Sequence, residues 1–334
     1  MIKISPFVFF ALFLFACGTS DNDQEKAHTL KNSAEDSVLT DDKVVEAFSL
    51  LGDTLYRLDL PDERKSQYDS ALDVALKNYN NAPQNLDNII WLGRRQAYLG
   101  RYQEAIKTYT QGLQLFPNAP ELYRHRGHRY ISTRQFEKAI SDLEKSAQLA
   151  KSIPLTDEPN GIPLPLPEDD RPTTLQFNIY YHLGLAYYLK GEYGKAAETY
   201  EQCLTYCQTD DEIAATADWL YMAYRRLGED EVAEETLAMI REDMDIRENE
   251  GYFERLLMYK GLVSPDSLLA IGSNVPLADR DLALATQGYG VGNFYLYNGE
   301  QQVGQEILED IVEGRHWAAF GYIAAEADLA RIKE

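Results

Sequence analysis

His125 and His128 stand three residues apart, one turn of a helix, where two imidazoles can share a metal ion. Arg124, Arg126 and Arg129 flank them and repel a cation. No cysteine or acid lies nearby at matching spacing, so neither a metal nor a cofactor is expected. Cys203 and Cys207 are four apart, a poor helical geometry for a disulfide. Gly288-Tyr289-Gly290-Val291-Gly292 has the wrong spacing for a dinucleotide fingerprint, and no strand precedes it. The chain has no G-x-S-x-G and no phosphate-binding loop. Paired carboxylates are too frequent in so acidic a chain to carry information. What remains is binding chemistry, the stacking of rings and the pairing of guanidiniums with carboxylates. The expectation is therefore a binding protein and not an enzyme.

The 334 residues include 54 acidic and 32 basic side chains, a net charge of -22 that argues against nucleic acid as a partner. An apolar content of 45% suits a globular chain, and three cysteines are too few for a disulfide scaffold. At the N-terminus Lys3 precedes an apolar run from Phe7 to Ala16. That is half the roughly 20 residues a membrane-spanning helix needs, but it suits a signal peptide. The run ends Leu14-Phe15-Ala16-Cys17, which resembles the lipobox of bacterial lipoproteins. The resemblance implies removal of residues 1–16 and acylation of Cys17, palmitate included. It also implies a membrane-anchored protein of the bacterial cell envelope. Gly18 in place of Asp points to the outer membrane. The alternative is a plain secretory signal with a chance cysteine. Residues 17–42 read as a flexible acidic tether of roughly 25–30 Å.

From residue 43 the pattern is helical. Val44, Phe48, Leu51, Leu55 and Leu58 follow one helix face, so residues 43–85 are expected to form a leading helical hairpin. Self-similarity follows. Leu92-Gly93, Gly100 and Ala105 recur as Leu183-Gly184, Gly191 and Ala196, seven residues from the first glycine to the second and five on to the alanine. Ala71, Ala105 and Ala139 are spaced by 34, and turn glycines recur at 100, 191, 228, 261 and 299. This resembles the tetratricopeptide repeat, an antiparallel helix pair in each 34 residues. The resemblance implies an all-α, right-handed superhelix over 43–334, about six helical hairpins with a C-terminal capping helix at 317–332. Repeats at 86–119, 120–153 and 177–210 are in register, a fourth at 214–247 matches apart from the large Tyr221 at a small position, and those at 252–284 and 285–318 are degenerate. Arg134 holds the turn-glycine place in the second repeat, so its turn must differ or its backbone is strained.

The resemblance also implies a concave face lined by first helices. Its register places Trp91, His125, His182 and Trp219 at one repeat position, with Arg94, Tyr98, Arg124, His128, Tyr181, Arg225 and Arg226 beside them. Residues 86–153 hold eleven bases and six acids, while 229–334 hold eight bases and 22 acids. A basic, aromatic ligand groove for an acidic protein or peptide partner is the expectation. Its alternative is that these cations pair with acids of adjacent helices and the rings pack between repeats. A carbohydrate receptor and an enzyme with an unrecognised site are further readings. The insertion 154–176 holds Ile162-Pro163-Leu164-Pro165-Leu166-Pro167, which cannot be helical. It is either a surface loop or a strap across one face.

Overall fold

The computed structural model describes residues 43–159, 161, 172–270 and 277–333. The signal peptide, Cys17, the tether and the Pro-Leu run of the insertion lie outside the described residues. From Lys43 onward the described residues form an α-solenoid of stacked antiparallel helical hairpins, with two short β-ladders and no closed sheet among them.

Its first element corrects an expectation. β1 (Val45–Phe48) pairs antiparallel with β2 (Thr54–Tyr56), with a bulge between Val45 and Ala47. The helix face expected from Val44 to Leu58 does not form. Phe48 is 65% exposed, while Ala47 and Leu55 are buried. The cause is local. Gly52 takes a φ of +100° in a turn closed by the Ser49 N–H on the Asp53 carbonyl at 2.8 Å. A helix interior has no place for that turn, and strand alternation sends Ala47 and Leu55 inward.

Helix α1 (Asp62–Asn81) follows, then hairpins of α2 (Leu86–Tyr98) with α3 (Tyr102–Leu115), and α4 (Pro120–Ser132) with α5 (Phe136–Ala150). In the insertion β3 (Asp157–Glu158) pairs with β4 (Thr173–Thr174). Next come α6 (Leu175–Leu189) with α7 (Tyr193–Leu204), and α8 (Asp210–Leu227) with α9 (Asp230–Leu237). The degenerate units are α10 (Glu250–Tyr259) with α11 (Pro265–Leu269), and a longer one. There α12 (Leu277–Ala283) runs through a π-helical turn, Leu284–Gly288, into α13 (Tyr289–Tyr297), which packs on α14 (Gln301–Glu313). α15 (Phe320–Lys333) closes the chain.

Helix starts follow from side chains. Asn85 caps α2 by accepting the Asn88 N–H at 2.9 Å, and Pro120 opens α4 with φ already helical. Thr209 and Glu212 form a reciprocal capping box on α8, whose last turn carries Arg225 and Arg226 against the helix dipole. Within a hairpin the two helices touch at a small residue. A Cβ at Gly184 would lie 2.8 Å from the Tyr200 ring, and Gly93 and Gly127 meet Tyr109 and Leu143 in the same way. A glycine seam runs through the last unit too. Gly288 and Gly292 admit Ile311 and Leu308, and Gly290 admits Arg255. Cys203 is buried, and burial pushes its thiol pKa up.

The turn glycines all adopt positive φ, from +69° to +90°, and Arg134 adopts +61° in their place. A left-handed conformation costs an L-residue about 1–2 kcal/mol. Here it aims the guanidinium at α15. Arg134 Nη2 lies 2.7 Å from Glu326 Oε2 and donates to the Trp317 carbonyl at 2.8 Å. Glu326 Oε1 also accepts the Leu50 N–H at 2.6 Å, and Trp317 Nε1 donates to the Tyr56 carbonyl at 2.8 Å. The closing helix thus ties the second repeat to the opening β-hairpin.

α15 also packs on the π-helical turn, α13 and the inner side of α6. The approach at the π-helical turn is close, since a Cβ at Gly321 would stand 1.7 Å from the Ala285 carbonyl oxygen. Gly321→Ala is therefore expected to displace α15 and cost about 1–3 kcal/mol, read as a lower urea midpoint. Unchanged stability would mean that α15 is not seated as described. Deeper in the core, Arg255 is bidentate to Asp218, with Nε 3.0 Å from Oδ1, and both side chains are almost wholly buried. The Tyr289 hydroxyl lies 2.9 Å from that of Tyr188 and 3.0 Å from Asp328 Oδ2. These buried polar groups are satisfied in pairs, as a low-dielectric interior requires.

Candidate functional site

The inner face of the first three hairpins holds a cavity of about 170 Å³. α2 contributes Arg94 and Tyr98, α3 Tyr109, α4 Arg124, His125, His128 and Arg129, and α6 His182. His125, His128 and Arg129 share one face of α4 through their three- and four-residue spacing.

The imidazoles are fixed by their partners. The guanidinium of Arg124 can only donate, so its 2.8 Å contact to His125 Nδ1 makes that nitrogen an acceptor and puts the proton on Nε2. His182 has the opposite tautomer, because its Nδ1 is 2.6 Å from the Asn178 carbonyl and must donate. The His128 ring lies 4.2 Å from that of His182 and 5.4 Å from that of Phe320, while Tyr109 stacks on His125 at 5.6 Å. Burial first, and then the nearby guanidiniums, hold all three histidines well below the usual imidazole range. They are neutral at pH 7.

The insertion reaches this wall as a strap. Glu158 is buried, with Oε1 2.9 Å from Arg124 Nη2 and 4.0 Å from His125 Nε2. Burial raises the Glu158 pKa, and Arg124 and Arg94 oppose that rise. Arg94 donates to the Pro159 carbonyl at 2.8 Å and Arg95 to the Gly161 carbonyl. Trp91 lies against both guanidiniums, with ring centroid distances of 4.6 and 4.7 Å. Glu158 Oε2 and Arg124 Nε are buried without a hydrogen-bond partner among the described residues.

Of the residues assigned to the groove, Arg94, Tyr98, Arg124, His125, His128 and His182 line this cavity, and Trp91 stands beside its strap. The other four do not, because α13 and α15 fill the inner face of the later repeats. Trp219 is buried against Tyr289 and donates Nε1 to the Tyr181 hydroxyl at 3.1 Å. Tyr181 in turn meets Tyr252 at 3.1 Å. Arg226 pairs with Asp328 at 2.6 Å, and Arg225 with Asp230 at 2.8 Å. For these two the intramolecular pairing alternative is the one observed. Arg124 is also paired internally, with the strap, whereas Arg94 and His128 make no ion pair among the described residues. The repeat register passed over Arg129, although helical spacing from His125 could have found it. Nothing local in the sequence points to Glu158. Among the described residues no group of three His, Cys, Asp or Glu is placed to hold a metal ion, and no helix is long and apolar enough to cross a membrane.

Fold and site together define a repeat scaffold that presents a basic inner pocket. Residues 177–210 match the tetratricopeptide repeat family, and the stacked antiparallel helical hairpins are consistent with a solenoid of such repeats. Two curated proteins are similar. The BBSome complex member BBS4 of Bos taurus is 26% identical over 141 residues, 42% of this chain and 22% of that protein. Tetratricopeptide repeat protein 13 of Homo sapiens is 40% identical over 57 residues, 17% of this chain and 6% of that protein. The match therefore spans about a fifth of the first relative's length and far less of the second. Among solved structures, YrrB, a tetratricopeptide protein with an unusual peptide-binding site, has a TM-score of 0.41 at 14% identity, over 75% of this chain and 97% of its own. MamA has a TM-score of 0.40 at 20% identity, over 61% and 96%.

Proposed function

We propose that this chain is a lipid-anchored scaffold of the bacterial cell envelope that holds an extended, acidic segment of a protein partner on the basic face of its first three repeats. The observation that carries this reading is the strap. Asp157–Glu158 is extended, Glu158 pairs with Arg124, and two carbonyls that follow accept from Arg94 and Arg95. A short acidic stretch of backbone is thus already bound there, by side-chain charge and main chain together, as in other extended-peptide sites. The excess of bases over residues 86–153 supports an acidic partner. The Leu14–Cys17 motif supports acylation, and two or more acyl chains give stable anchoring where one does not. The outer membrane is the proposed address.

Crosslinking capture from membranes tests the reading. A partner held by the native chain should be lost when Arg94 and Arg124 are both changed to Glu, with the melting profile still cooperative. Unchanged capture would remove the groove from the account. Membrane retention of a Cys17→Ser chain would remove the anchor.

A further inference from the structure

The cavity wall carries more positive charge than the described residues neutralise. Arg124 has Glu158, but Arg94 meets only a carbonyl and an indole, and Arg129 lies over the Tyr102 ring at 5.2 Å. Neither Arg94 nor Arg129 has a carboxylate partner among the described residues. Among the described residues three guanidiniums thus face one carboxylate, an excess of two charges, with Arg124 buried and Arg94 and Arg129 half-buried, so that their mutual repulsion is only partly screened. The space is small. An engineered cavity of about 150 Å³ takes one benzene, so about 170 Å³ takes a compact ion and no folded segment. Tyr98, Tyr109 and His125, whose side chains can donate hydrogen bonds, line the same cavity.

We propose that this cavity is a binding site for a compact dianion of the sulfate or phosphate type, free or as a small monoester, held chiefly by Arg94, Arg124 and Arg129. This goes beyond partner capture. A chain that binds the anion but captures no partner keeps this inference and loses the other, and the reverse also holds.

The histidines give the site a signature that a purely structural cluster lacks. Around them stand Arg94 and Tyr98 from α2, Tyr109 from α3, Arg124 and Arg129 from α4, Glu158 from the strap, and the Phe320 ring from α15. Burial and the guanidiniums keep the imidazoles neutral. A bound dianion would offset the guanidiniums' share of that effect, though not the share due to burial, and so raise the histidines' affinity for protons. Binding therefore takes up protons, and it tightens as pH falls below the ordinary histidine value of about 6.5.

The test is calorimetric titration of the full chain with sodium sulfate, which stays dianionic across that range, at matched ionic strength with sodium chloride as control. Inorganic phosphate at pH 7.5 is the second probe. The expected result is saturable one-site binding, tighter at pH 5.5 than at 7.5. Buffers of different ionisation enthalpy should reveal proton uptake. Arg129→Gln, which breaks no ion pair, should weaken binding about tenfold or more, the worth of one charge-assisted hydrogen bond. If that variant melts early, Arg94→Gln serves instead. Heats no larger than those of chloride, or undiminished binding by both variants, would overturn the proposal.

Discussion

Glu326→Ala is expected to lower folding stability by about 3–5 kcal/mol, the range for orphaning one member of a buried ion pair. The side chains of Arg134 and Glu326 are 3% and 1% exposed. Removing the carboxylate leaves the guanidinium buried with only carbonyls, those of Ser132 and Trp317, for partners. It also strips the Leu50 N–H of its acceptor. Arg134 would then hold a left-handed backbone for no return. Arg134→Gly relieves that backbone but orphans Glu326, so it too should destabilise, though by less. The double variant Arg134→Gly, Glu326→Gln removes both charges and should recover much of the loss, a coupling that a double-mutant cycle measures. Urea denaturation decides the matter. A Glu326→Ala chain within about 1 kcal/mol of the native one would mean that this pair does not lock α15 to the opening hairpin.

The second large effect concerns Glu158. A carboxylate tied to the chain and seated on Arg124 competes with any acidic segment from outside. Glu158→Gln keeps the size and the backbone of the strap but gives up the charge. It should raise affinity for an acidic extended peptide by about ten- to a hundredfold, the range for one hydrogen bond to a charged group. Glu158→Gln leaves the buried Arg124 guanidinium without its counter-charge, so the variant should also lose stability, though by less than Glu326→Ala because the amide oxygen can still accept from Arg124. The gain in binding is the informative change.

The repeats were legible because they are local. The 34-residue spacing, the seam glycines and the turn glycines are contacts within one hairpin, and the structure realises them from Gly93 to Gly299. Even the anomaly at Arg134 was visible, since a residue in a glycine's place must be strained or differently turned. It proved strained, and its partner Glu326 lies 192 residues on, beyond the reach of any periodicity. The same distance hid the filling of the inner face by α13 and α15, which took Tyr181, Trp219 and Arg226 out of the expected groove. The opening hairpin was misjudged for a different reason. Val44, Phe48, Leu51, Leu55 and Leu58 satisfy a helical period by spacing alone, but Gly52 and Asp53 supply a turn in the middle of it. Of the pocket, the α4 histidines and Arg124 were readable as one helix face. Glu158 arrives on an insertion with no repeat register, so nothing in the sequence assigns it to Arg124.

The central claim is that the basic face of the first three repeats accepts an extended acidic chain. Its most direct test is calorimetric titration of a capped Thr-Asp-Glu-Pro-Asn-Gly peptide, the strap's own sequence, into the full chain bearing Glu158→Gln. The account predicts saturable binding that weakens with added salt, is weaker in the native chain, and disappears when Arg124→Ala is added. Equal binding with and without the Arg124 side chain, or none in the Glu158→Gln chain, would contradict it.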